Sequence, residues 1–281
     1  MQIYKDMNIG TAKADEEEQA GIPHHLLDIV SPEERYSVAS YKKDAKEAIR
    51  QVVQRGKTPI VVGGTGLYIN SLIYEIEYDD INIDEQYRKE LGEIAEKEGL
   101  ESLYEKAKEI DAEAMEKISP NDKKRIMRIL EIYQQTGKTK TQLEKESRKK
   151  EVEYAYQVYA IDMDRKLLYD RINKRVDIMV EQGLIEEVKE ILEKYHTFPT
   201  AMQALDYKEV VEYLNGQISK EEMLENLKMQ TRRYAKRQLT WFRKNPDTIW
   251  LSRRFRSKLK HNFEGNKKWG VNIGRKKQSF I

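Results

Sequence analysis

Arg233, Lys236, Arg237, Thr240 and Arg243 recur at the 3, 4, 7 and 10 spacing that places side chains on one helical face. Trp241 and Phe242 lie beside them. A cationic stripe next to aromatic rings suits a phosphate backbone and an unstacked base. The plainer reading is a solvated surface, and the lack of neutralising acids nearby favours the first. A second cluster, Asn121 to Arg128, sets Arg125 and Arg128 on one face at i, i+3, with Ile126, Ile129, Leu130 and Tyr133 for packing. By periodicity alone it is an ordinary amphipathic helix, capped by Asn121 or Asp122. A third feature, Gly63-Gly64-Thr65-Gly66, follows the apolar run Thr58 to Val62. Glycines where a strand meets a helix let backbone amides approach an anion, although many such turns bind nothing. It is not a phosphate loop: no G-x-x-x-x-G-K-[ST] pattern occurs in the chain. Asp28 or His24 could serve as acid or base, but a turn aspartate and a core-facing histidine explain them equally well.

The elements that must position these groups read as α/β. A helical pattern from Ser37 to Gly56 leads into Thr58 to Val62, which has the character of a parallel strand buried on both faces. Helices are expected at 84–98, 100–109, 111–118, 121–136 and 139–147, then a strand at 154–161. Helices at 164–182, 184–195, 206–214 and 219–244 follow, with a last strand at 248–251. An α/β core interrupted by a helical insertion accounts for this order.

Composition narrows the chemistry. The 281 residues contain 51 Lys and Arg against 49 Asp and Glu, four His and no Cys. Disulfide scaffolds, Cys-based zinc sites and a cysteine nucleophile are excluded. No apolar run approaches a membrane span and no signal-peptide core opens the chain, so a cytoplasmic protein is expected. The net charge of +2 conceals a partition. Residues 251–281 hold ten Lys and Arg against Glu264, a charge of +9 that leaves the first 250 residues at −7. That tail reads as a disordered or altered end, with an RNA-binding arm as the alternative.

The segments MQIYKDMNIGTAK, PHHLLDI, SVASYKKDA, VVGGTGLY, SPNDKKRIMRILEIY, TGKT and AKRQLTWFR, in this order, closely resemble the bacterial tRNA dimethylallyltransferase family. The resemblance covers Met1 to about Leu251. It implies a phosphate-loop NTPase-like parallel-sheet core with a helical insertion domain, divided as core 1–90, insertion 91–150, core 151–251 and an atypical basic tail 252–281. It also implies transfer of the dimethylallyl group from dimethylallyl diphosphate to N6 of the adenosine at tRNA position 37, with Mg²⁺, by a monomer. By motif, Thr65 resembles the family's channel threonine and Arg88 its second marked site, together the catalytic candidates. Gln2 belongs to the segment holding the target adenine. Lys124, Arg125 and Arg128 match the insertion stretch facing the anticodon stem. Gln203 and Lys208, with Lys236, Arg237, Gln238, Thr240, Trp241 and Arg243, match the two other tRNA-contacting stretches of the core, and Arg233 joins them as a tRNA-binding candidate from its place on the same cationic face.

Three departures from the family pattern follow. The family's first strand, its phosphate loop and the Asp-Ser pair before Met1 are missing from the sequence, so the chain is expected to lack the general base and to be inactive. Asp206 stands where the family has Gly, which should place a carboxylate near tRNA phosphates. The end from about Ser252 differs from the family. A non-catalytic tRNA- or RNA-binding remnant is the alternative; a small-molecule kinase is disfavoured by the absent nucleotide loop.

Overall fold

The computed structural model describes residues 1–76, 84–147 and 152–252; the expected basic tail lies, from residue 253, outside the described residues. The chain divides into two compact units, one of residues 1–37, 43–66 and 155 onward, the other of 38–42 and 67–154.

In the first unit the strands are few. β1 (Tyr159–Asp162) and β2 (Ile249–Ser252) pair in parallel, with Tyr159 opposite Ile249 and Ile161 opposite Leu251. This confirms an α/β chain with a small parallel sheet, although β1 is shorter than the expected 154–161. Thr58 to Val62 is corrected: it forms no strand, and Ile60 and Val62 are 83% and 89% exposed. An apolar run becomes a central strand only where neighbours supply both ladders and both faces, and among the described residues none pairs with it.

Helices carry this unit. α1 is Glu16–Gln19, and α2 (Val38–Gln54) ends near Gly56, whose φ of 68° is the left-handed geometry of a helix stop. α9 (Arg165–Glu181), α10 (Leu184–Lys194), α11 (Lys208–Leu214) and α12 (Lys220–Phe242) pack on one another, α12 against α9 and α11, and α10 against the same two. Ser219 opens α12 through a reciprocal capping box with Glu222. Tyr4, Met7, Val188, Ile191, Tyr207, Met223 and Leu227 form its core.

The second unit is helical: α3 (Gly66–Ile73, its first residue in the other unit), α4 (Glu85–Lys97), α5 (Leu100–Ile110), α6 (Ala112–Met115), α7 (Lys123–Thr136) and α8 (Lys140–Ser147). Leu91, Leu103, Met115, Ile126, Ile129 and Leu130 bring α4, α5, α6 and α7 onto one core. The unit therefore extends beyond the 91–150 read from sequence. It takes in α4 through Leu91, and residues 38–42 through Tyr41, stacked on Tyr68 at 4.4 Å, and Lys42, paired with buried Glu75 at 2.9 Å. Asp111 ties α6 to α8. It caps Ala114 and accepts from the amide and hydroxyl of Thr141. Burial alone would raise its pKa, but these hydrogen bonds prevail and hold it below the usual carboxylate range.

Candidate nucleic-acid interface

The C-terminal half of α12 carries the cationic stripe. Met223 and Leu227 anchor the first half in the core, so the later turns are presented outward. Arg233, Lys236, Arg237, Thr240, Trp241 and Arg243 are all exposed. Among the described residues the four cations of this face have no acidic partner. Arg237 lies over the Tyr234 ring at 5.7 Å, and Arg243 over Trp250 at the same distance. Thr240 turns its hydroxyl back to the Lys236 carbonyl. Four unpaired cations on one face give a strong positive potential with no internal counter-charge.

This helix also meets the glycine turn. A Cβ on Gly64 would fall 1.9 Å from Gln238 Nε2, and one on Gly66 would fall 2.2 to 2.4 Å from the Trp241 indole. Neither glycine is needed for a positive φ; each is needed because a side chain of α12 occupies the space where a Cβ would go. Gln238 and Trp241 thus wedge the turn that carries exposed Thr65. The turn and the stripe, separate features in sequence, form one surface.

The N-terminal motif and the Gln203–Lys208 stretch are joined as well. Glu187, on α10, accepts from the backbone amides of Asn8, Ile9 and Gly10 at 2.7 to 3.1 Å and from the Tyr207 hydroxyl at 2.6 Å. Tyr207 also occupies the space over Gly10, where a Cβ would lie 2.5 Å from its ring. Burial, then the Glu187 carboxylate, pushes the Tyr207 phenol well above its ordinary pKa, so it stays a donor. Nothing in the motif reading pointed to Glu187. Gln2 spends its amide Nε2 on the carbonyls of Thr11 and Ala12, which folds the N-terminal loop back on itself. Lys13 crosses the same loop to Asp28, a left-handed turn residue, at 2.5 Å, and His24 is exposed rather than core-facing. Gln203 ends a 3-10 turn (Ala201–Gln203), and Lys208 is exposed beside Glu212.

Asp206 departs from its expectation. Its φ of 76° fits the left-handed tolerance of Asp, but the carboxylate is buried against the Thr231 hydroxyl at 3.2 Å and does not face solvent phosphates. Burial, with nearby Glu209 adding to it, raises its pKa to about 7.

In the helical unit, Arg88 grips Glu131 through Nε and Nη2 at 2.6 and 2.9 Å, and Arg128 reaches the same carboxylate at 3.3 Å. Asp122, not Asn121, caps α7 and lies 3.4 Å from Arg125. Lys124 and Arg125 start the helix on its exposed side. Arg88 and Thr65, the two catalytic candidates, belong to different units. Among the described residues no group of three or more His, Cys, Asp or Glu forms a metal site, so no residue is assigned to Mg²⁺. No described helix is long and apolar enough to cross a membrane.

The chain is similar to known proteins over most of its length. Residues 2–245 match the family described as IPP transferase. A tRNA dimethylallyltransferase of Caldanaerobacter subterraneus is 52% identical over 246 residues, 86% of this chain and 78% of that protein. One from Acetivibrio thermocellus is 50% identical over 254 residues, 90% and 81% of the two chains. Among solved structures, the full-length tRNA isopentenylpyrophosphate transferase of Bacillus halodurans is 40% identical with a TM-score of 0.65, covering 94% of this chain and 84% of its own. A eukaryotic dimethylallyltransferase acting on tRNA gives a TM-score of 0.74 at 27% identity, over 98% and 73%. With family and structural matches spanning nearly the whole described chain, the protein belongs to the IPP transferase family, the tRNA dimethylallyltransferases.

Proposed function

We propose that this chain binds the anticodon stem-loop of tRNA and presents the adenosine at position 37 for N6 dimethylallylation. In the reaction N6 bonds to C1 of the dimethylallyl group, the bond from C1 to the diphosphate oxygen breaks, diphosphate leaves with the electron pair, and N6 gives up a proton to solvent water. The observation that carries the reading is the unpaired cationic face of α12 wedged against the Thr65 turn by Gln238 and Trp241. Phosphates bound along that face would bring an extruded base beside Thr65, since chemistry on a stacked base requires its removal from the stack. Thr65 offers a hydroxyl to hold that base, and Gln2, in the N-terminal loop, belongs to the expected adenine-holding segment. Lys124, Arg125 and Arg128 add phosphate contacts on the helical unit. The parallel pair β1–β2 is read as part of a phosphate-loop-type core, and the protein as a cytoplasmic monomer. Mg²⁺ would supply charge neutralisation to the diphosphate.

The test mixes the chain with an anticodon stem-loop bearing adenosine 37 and labelled dimethylallyl diphosphate. RNA and diphosphate are also offered singly. Salt-sensitive binding of the stem-loop in preference to a scrambled hairpin is expected. Equal binding of the two hairpins refutes the reading, and label transfer reports how much of the reaction residues 1–281 perform.

A further inference from the structure

The three-residue cluster on α4 and α7 goes further than a list of cations. Glu131 has no exposed surface, yet its carboxylate holds two guanidiniums. Arg88 and Arg128 are each 36% exposed. A guanidinium has five N–H donors in a fixed fork. Arg88 spends its Nε and one Nη2 hydrogen on Glu131, and Arg128 one Nη1 hydrogen. The remaining donors of both residues have no other partner among the described residues. One buried anion between two cations leaves a net charge of +1, held rigidly by two helices that share a core.

We propose that Glu131 is a positioning residue that locks Arg88 and Arg128 into a single pre-formed receptor for one phosphate of the RNA backbone. This rests on the proposed tRNA function and assigns a role to an acidic residue that by charge alone should oppose RNA. Planar forks aimed at one anion bind it bidentately, and fixing them beforehand removes the ordering cost at the moment of binding.

The sign of one substitution separates positioning from charge. Glu131→Gln makes the site more positive by one unit. If the arginines act only as charges, stem-loop affinity rises. If Glu131 positions them, affinity falls by about tenfold in the folded variant despite the extra positive charge. Full-chain wild type and variant are compared by titration with the anticodon stem-loop, with circular dichroism melting to show that the helical unit folds. Arg88→Lys is the second variant. It retains the charge but loses the fork, and is expected to weaken binding severalfold at an unchanged salt slope. Tighter or equal binding by folded Glu131→Gln overturns the proposal. If that variant does not fold, unchanged affinity of Arg88→Lys overturns it. Absence of stem-loop binding by the wild type would instead sink the proposed function itself, so the two failures are distinct.

Discussion

Replacing Asp206 by Asn tests whether a buried carboxyl, not an RNA-facing one, occupies the turn before α11. Burial and Glu209 raise this group from 3.8 to about 7, against the opposing hydrogen bond from Thr231. A unit of pKa is about 1.4 kcal/mol, so roughly three units correspond to about 4 kcal/mol between the pH extremes. The unfolded chain releases this proton near its ordinary value, whereas the folded chain keeps it until about pH 7. Stability from this group is therefore complete below the unfolded pKa and is lost as pH rises through the folded one. Asn removes the titration, keeps an acceptor for the Thr231 hydroxyl and tolerates the left-handed backbone. Urea unfolding at pH 5, 6, 7 and 8 should show the variant gaining on wild type by about 2–3 kcal/mol from the lowest to the highest pH. A gap between the two proteins that stays flat across that range would refute the reasoning.

Three further outcomes are expected. Gly66→Ala forces a Cβ into the Trp241 ring and should cost about 1–3 kcal/mol in chemical unfolding; the loss should shrink in a Trp241→Ala background, and full additivity of the two changes would argue against the wedge. Arg237→Ala should lower the slope of log affinity against log salt by about 0.7 to 0.9 for the anticodon stem-loop, and an unchanged slope would place that face off the RNA. Glu187→Ala strands three backbone amides and the Tyr207 hydroxyl and should destabilise the first unit by about 2–3 kcal/mol in urea; native-like stability would show that the N-terminal loop is held by other contacts.

Helix boundaries were legible because their signals are local. Ser219 with Glu222, Asp164 and Asp122 mark helix starts through their own side chains, and Gly56 and Gly137 mark ends through positive φ. Strand identity at Thr58 to Val62 was not, because pairing depends on partners remote in sequence. The cationic face of α12 could be read from spacing, since a surface stripe needs only the period of one helix. Its contact with Gly64 and Gly66 could not, since glycine records room but not what fills it. Glu131 and Glu187 were hidden among 49 acidic residues. A signal existed for Glu187: with Leu184, Val188 and Ile191 it falls at the spacing of the buried face of α10, where an acid must find donors. Glu131 likewise is an acid set among the apolar residues Ile129, Leu130 and Ile132, all buried with it.

The short ladder of β1 and β2 bears on how the protein behaves in a tube. Among the described residues each strand is paired on one side only, and Ile161 is 71% exposed. Such an edge is a template for a second extended backbone, and with a formal net charge of only +2 the 36% of charged residues oppose that pairing through hydration and local like-charge contacts rather than through overall repulsion. Added electrolyte shortens the reach of those charges to about 10 Å at 0.1 M and about 3 Å at 1 M. Electrolyte strong enough to release RNA from the proposed α12 face would therefore also weaken the protection of that edge. Colloidal stability and RNA release pull the useful ionic strength in opposite directions, which leaves a bounded window for handling the protein.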